Sequence, residues 1–146
     1  MGNASKDTRA GGAEDMPMNG LLETLEMEAV EVTRERVVMT MPVSPRHLQP
    51  WGYLHGGASV ALAETAATAG AFQNCAPGMV AFGLEINANH VRPVRAGLLT
   101  ATATPLHTGH TSQVWDVKIR DERDRLICVS RCTLAIVPID GAGGQG

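Results

Sequence analysis

Between Arg46 and Glu85 only one residue is Asp, Glu, Lys or Arg, and it is Glu64. It stands in GGASVALAETAATAGAFQN, residues 56–74, whose other members are mostly Ala, Gly, Val, Leu and Thr. A helix drawn through this run is apolar nearly all the way round, and such a helix belongs inside a protein rather than on its surface. The rest of the chain must therefore wrap around a rod. A carboxylate on a buried helix is costly unless something pairs with it or uses it. Glu64 is thus the strongest functional signal in the sequence.

The flanking segments supply the wrapping. Two strand-like runs precede the rod, at 27–33 and 36–43, and in the second Val37, Met39, Met41 and Val43 alternate with Arg36 and Thr40. Four longer ones follow it, at 80–92, 98–107, 111–120 and 126–137. The run 80–92 is expected to set Val80, Phe82, Leu84, Ile86 and Ala88 on one face and Gly83, Glu85, Asn87 and Asn89 on the other. Ahead of them Asn19 can cap a short helix over residues 20–26 that packs Leu21, Leu22 and Leu25. Short helix, two strands, one long helix and four strands give an α+β layout, a curved antiparallel sheet wrapped around one long central helix. One helix covers one sheet face only, so a second copy of the chain is expected to cover the other.

Length fits one domain, at 17–138, between Gly/Ala/charge-rich tails at 1–16 and 139–146 that are expected to be disordered. A net charge of −3 and five aromatic residues lack the basic face and stacking platforms of a nucleic-acid binder. No apolar run approaches the ~20 residues of a membrane span. The polar N-terminus is not a secretory signal, and Lys6 breaks the myristoylation pattern. Cys75, Cys128 and Cys132 have no metal-ligand spacing and read as small buried hydrophobes in a reducing compartment. A cytoplasmic location is expected.

Four blocks in order carry a family resemblance: WGYLHGGASVALAE (51–64), LEINANHVRPV (84–94), PLHTGHTSQVW (105–115) and RLICVSRCTLAI (125–136). Over roughly residues 20–138 the chain resembles the hotdog-fold acyl-CoA thioesterases. Within them it is most similar to the branch of 4-hydroxybenzoyl-CoA thioesterase, the phenylacetyl-CoA-type enzymes and, nearest, 1,4-dihydroxy-2-naphthoyl-CoA hydrolase. The resemblance implies hydrolysis of an acyl-CoA, an aromatic one by preference, by a dimer of dimers. No cofactor is expected.

Thioester hydrolysis needs a carbonyl polariser, a nucleophile or base, and room for CoA. The start of the 56–74 helix offers free N–H groups, and Gly56 and Gly57 let a carbonyl oxygen approach them closely. Glu64 lies eight residues beyond Gly56, about 12 Å along the axis at ~1.5 Å per residue. One thioester cannot touch both on a single helix. If two helices lie antiparallel across a two-fold, the tip of one reaches the middle of the other, and the resemblance implies the same shared site. Glu64 then either attacks the thioester carbon or activates water. Thr68, at i+4, can hold that water or the carboxylate, or bond its own helix's backbone. Gln49 and His55 match family positions that contact the thioester or assist product release; His55 can equally cap the helix.

The resemblance also implies that Gly83, His90, Val91, Arg92 and Pro93, with His107, Thr108, Gly109, His110, Thr111 and Ser112, line the acyl and CoA region. The turn HTGHTS offers hydroxyls, imidazoles and amides suited to phosphate; Arg92 can instead form a surface ion pair. His107 and His110 lack a third ligand, so no metal is expected. Two other readings exist. A hotdog 3-hydroxyacyl-thioester hydratase pairs a His with a helix carboxylate, but its Pro-rich segment between the two is missing here. A non-catalytic acyl-CoA-binding module would have no need of Glu64 and Thr68 on one face.

Overall fold

The computed structural model describes residues 12–139. A one-turn helix α1 (Leu21–Thr24) leads into β1 (Glu28–Val32) and β2 (Val37–Val43), and the arm 44–55 then carries the chain to α2 (Gly56–Gln73). Four strands follow: β3 (Met79–His90), β4 (Gly97–Thr108), β5 (Ser112–Arg120) and β6 (Leu126–Pro138). All six strands join one antiparallel sheet in the order β1-β2-β4-β5-β6-β3. Helix α2 packs against β2 to β6, which is the wrapped rod expected from the sequence.

The rod fits because it is thin. Ala58, Ala63, Ala66, Ala67, Ala69 and Ala71 are all buried, and small side chains let the sheet come close. Gly70 shows how close: a Cβ built there would run into the Trp115 ring. Around it the alternating strand residues Met39, Met41, Leu99, Ala101, Trp115, Val117, Ile119 and Leu134 are fully buried. Burial of each of the larger ones is worth about 1.5–3 kcal/mol. Trp115 keeps its indole N–H satisfied by Gln113 Oε1 at 2.9 Å, while Gln113 Nε2 donates to the Ala71 carbonyl at 3.2 Å.

Three expectations are corrected. First, α1 is shorter than 20–26 and Asn19 does not cap it. Gly20 holds the N-cap position at φ 62°, a conformation that favours glycine, and makes no side-chain cap bond. Leu22 and Leu25 pack on the core as expected, whereas Leu21 is exposed. Second, β3 does not keep one apolar face. Its pairing with β6 shifts between Gly83 and Glu85, which makes Leu84 the extra residue of a bulge. Ala81 and Gly83 face α2 before the bulge, Ile86 and Ala88 pack on the core after it, and Phe82 and Leu84 point outward at 61% and 67% exposure. Third, part of the expected N-terminal tail has structure: Ala13–Asp15 forms a 3-10 turn, and Ala13 and Met16 pack against the core. Residues 1–11 and 140–146 of the two expected tails lie outside the described residues. Among the described residues no helix is long and apolar enough to cross a membrane.

Candidate active site

The expected site residues fall into three groups along α2. At mid-helix, Glu64 and Thr68 face a cavity of about 800 Å³. Its walls are mostly apolar, with Val60 and Phe72 from α2, Val32 from β1, and Met16, Leu21 and Leu22 from the N-terminal segment. On the other side of Glu64 stands Gly83. A Cβ built on Gly83 would lie 3.1 Å from the Glu64 carboxyl carbon and collide with Oε1. The Thr68 hydroxyl makes no hydrogen bond among the described residues; the bond to its own helix's backbone belongs instead to Thr65, whose hydroxyl donates to the Ala61 carbonyl at 2.7 Å. The Thr68 hydroxyl is therefore available to a ligand of the cavity.

At the helix start a second cleft, of about 460 Å³, gathers Gln49, Gly56, His90, Arg92 and Pro93. His90 stands against the helix tip, 3.1 Å from where a Gly56 Cβ would be. His55 is the N-cap: its Nδ1 accepts the Gly57 N–H at 2.8 Å. That leaves the Gly56 N–H as the first helix amide without a partner among the described residues. The Gln49 side-chain oxygen accepts the Trp51 N–H, so its NH₂ is the end left to face a ligand. Arg92 is exposed and enters no ion pair among the described residues. Val91 is exposed and fixed by its N–H to the Ile127 carbonyl at 2.8 Å.

The third group, His107 to Ser112, forms the β4–β5 turn, in which Gly109 N–H donates to the Ser112 carbonyl at 2.9 Å. It lies toward the C-terminal end of α2, where the next residue, Gln113, bonds Ala71. Within one protomer the structure does not bring it to Arg92. His90 pairs with Cys128 and Ser112 with Ala135, seven residues apart on β6, or about 23 Å at ~3.3 Å per residue. Gly56 and Glu64 likewise belong to different clefts. Among the described residues no group of three or more His, Cys, Asp or Glu is arranged to hold a metal.

The electrostatics exclude two buried cysteines as nucleophiles. Burial first, and then the charges of Glu64 and Glu85, push the Cys132 thiol up to about 12. Burial also raises Cys128. Neither is a thiolate at neutral pH, which removes both as nucleophiles. Two residues near the site escaped sequence reasoning. Arg95 stacks on the Tyr53 ring, 4.3 Å from its centroid, and bonds the Tyr53 hydroxyl at 2.7 Å. His47 is 1% exposed. Both depend on tertiary partners that sequence spacing does not display.

Comparison with known proteins identifies the family. A family model, Thioesterase superfamily, matches residues 52–128. The chain is 50% identical over 117 residues to 1,4-dihydroxy-2-naphthoyl-CoA hydrolase of Listeria monocytogenes, spanning 80% of this chain and 95% of that one. The crystal structure of thioesterase HI1161 from Haemophilus influenzae superposes with a TM-score of 0.79 at 44% identity, covering 86% of this chain and 88% of that one. Two mutants of the Staphylococcus aureus protein SAV0944 match as well. The first is altered at a glutamate (TM-score 0.80, 45% identity, 82% of this chain and 100% of that one). The second, described as a thioesterase, is altered at a glutamine fifteen residues earlier (TM-score 0.79, 44% identity, 81% and 98%). The chain belongs to the thioesterase superfamily and has its hotdog fold.

Proposed function

We propose that this protein hydrolyses the thioester of an aromatic acyl-CoA to the free acid and CoA, with 1,4-dihydroxy-2-naphthoyl-CoA as the first candidate substrate. The observation that carries the reading is the setting of Glu64. It is the only charged residue of α2, it faces a largely apolar cavity with the Thr68 hydroxyl one turn away, and glycine at 83 leaves its carboxylate room. The naphthoyl preference comes from the Listeria relative, and the cavity's apolar walls suit such a group. The SAV0944 mutants lend support too: Gln49 and Glu64 are likewise fifteen residues apart.

The site is completed by a second copy. β3 is an edge strand with Phe82 and Leu84 outward, a surface that soluble proteins rarely leave open. Pairing it antiparallel with its two-fold mate sets two α2 helices side by side in opposite directions. The Gln49–Gly56 tip of one then reaches Glu64 of the other, and the 107–112 turn approaches the other's Arg92 end. A dimer is the smallest assembly that does this; a dimer of dimers is what the family resemblance implies. Such an enzyme works where CoA thioesters are made, in the cytoplasm.

In that site the Gly56 N–H and the Gln49 NH₂ hold the thioester oxygen and stabilise the negative charge that grows on it. Two courses then lead to products. In one, a Glu64 oxygen attacks the carbonyl carbon, the C–S bond breaks, CoA leaves as thiolate, and water opens the mixed anhydride. In the other, Glu64 takes a proton from water as that water attacks, and the same C–S bond breaks. A single turnover in H₂¹⁸O that leaves the label in Glu64 identifies the anhydride course, since only water opening the anhydride at the Glu64 carbonyl places it there. The test of the function is release of CoA from a panel of aromatic and aliphatic acyl-CoAs by the wild-type chain and by Glu64→Gln. Aromatic turnover that falls by about 10³-fold or more in the variant is expected from losing a group used in the transition state. Wild-type turnover in Glu64→Gln would sink the assignment.

A further inference from the structure

Among the described residues one imidazole is buried, that of His47, at 1% exposure. It sits in the turn Pro45–His47 between β2 and α2, and both ring nitrogens are engaged. Nε2 lies 2.7 Å from the Leu25 carbonyl oxygen, which can only accept, so Nε2 carries the proton. Nδ1 accepts the Ser44 backbone N–H at 3.2 Å and the Ser44 hydroxyl at 2.9 Å. The ring is thereby fixed as one neutral tautomer.

Its backbone is tied in the other direction. The His47 carbonyl accepts the His55 N–H at 2.8 Å, and His55 in turn accepts the Gly57 N–H at 2.8 Å. Hydrogen bonds thus run from Leu25, just past α1, through His47 to the first turn of α2. Gln49 follows two residues after His47, and its N–H is held by the Tyr53 carbonyl at 2.7 Å. Arg46 adds a second tie to the end of α1, donating to the Thr24 carbonyl at 3.1 Å. Leu21 and Leu22 of α1 are walls of the Glu64 cavity. One ring therefore links the wall of the acyl cavity to the arm that carries Gln49 and leads into Gly56.

We infer that His47 is a positioning residue for thioester cleavage: it seats the 44–55 arm so that the Gln49 NH₂ and the Gly56 N–H meet the substrate oxygen. The inference rests on the function proposed above. Donors to a growing oxyanion must sit within tenths of an ångström, and a misplacement of about 1 Å can cost ~10²-fold in rate. His47 makes no hydrogen bond to any of the residues proposed to line the CoA region. Its loss should therefore appear in kcat rather than KM.

The test is steady-state kinetics with benzoyl-CoA on the full-length variants His47→Gln, His47→Asn and Ser44→Ala, with folding followed by circular dichroism and assembly by sedimentation. Glutamine reaches the Nε2 position and keeps a donor for the Leu25 carbonyl; asparagine is one bond shorter and cannot. His47→Asn should lower kcat by about tenfold or more with KM within about twofold, and His47→Gln should restore kcat to within about threefold. Ser44→Ala, which leaves the ring in place, should lower kcat by about two- to fivefold at unchanged KM, and it decides the matter if His47→Asn does not fold. Unchanged kcat in His47→Asn or in Ser44→Ala overturns the inference. So does a loss that tracks the folded fraction, a parallel rise of KM, or a failure of glutamine to rescue. Glu64→Gln is run alongside: if it stays active the functional reading itself fails, whereas a dead Glu64→Gln beside a wild-type-like His47→Asn refutes His47 alone.

Discussion

The Glu64 carboxylate occupies the space that a side chain at position 83 would need: a Cβ built on Gly83 comes 3.1 Å from the Glu64 carboxyl carbon and meets Oε1 more closely still. The helix brings the acid to the sheet, and the sheet leaves a gap for it. Strand alternation from Ala81 turns Gly83 inward, and the bulge at Leu84 then brings Ile86 and Ala88 to the core side. Glycine is required here by close approach rather than by its φ angle.

A methyl group at that place should move the acid. Gly83→Ala is expected to lower kcat by roughly 10- to 100-fold, the cost of displacing a reacting group by about an ångström, while circular dichroism stays that of the wild type. Kinetics beside a thermal melt check it. Full activity in Gly83→Ala would show that Glu64 does not act from its observed position.

Gly70 has a similar geometry and no part in the chemistry. Alanine there gains up to about 1 kcal/mol of helix propensity, but its Cβ must enter the space of the fully buried Trp115 ring. Overpacking of this kind costs about 1–3 kcal/mol, so it prevails. Gly70→Ala should melt lower by several degrees at about 2–4 °C per kcal/mol, and Gly70→Val lower again, with Glu64-dependent turnover of the folded enzyme retained.

His55 caps α2, and its removal should register first in stability. His55→Ala is expected to cost about 1 kcal/mol, whereas His55→Asn, which still offers an acceptor to the first turn, should regain most of it. Denaturant midpoints measure the difference. Turnover that recovers with Asn identifies the cap as the origin of any rate loss; turnover that stays low identifies direct use of the imidazole.

The fold was legible in the residues, and so was the grouping of Glu64 with Thr68 in the candidate site. An apolar run with one acid can only be a wrapped rod, and strict alternation at Leu99, Ala101 and Ala103 or at Trp115, Val117 and Ile119 leaves little choice of face. The failures have physical causes. A bulge is one residue added to one strand of a pair, so Leu84 cannot be recognised without its partner β6. The residues ahead of Pro17 look like a tail by composition, yet Met16 finds a hydrophobic surface made by distant elements. His47 reads as a loop residue until the Leu25 carbonyl is placed against it.

The buried thiols give a pH signature. Cys132 is held at about 12 in the folded state against 9.0 for the ordinary thiol, by burial first and then by the negative charges of Glu64 and Glu85. A raised folded value means that the stability is fully present below pH 9 and is lost as pH climbs toward 12. Cys128 shifts in the same direction through burial. Both should resist alkylation at pH 8 in the native protein and react once it is unfolded, as mass spectrometry can count. Glu64→Gln removes one of the charges on Cys132 and should bring its titration down.

The shared site is tested most directly by mixing two inactive chains, Glu64→Gln and Gln49→Ala, unfolding them together and refolding the mixture. If each site takes its acid from one protomer and its carbonyl donor from the other, a mixed dimer carries one site with both lesions and one with none. Random pairing of equal amounts should then recover about a quarter of wild-type activity, since half of the dimers are mixed and each holds one intact site of two. Activity no higher than that of the two variants refolded separately would mean that a single protomer supplies both groups and that no site is shared.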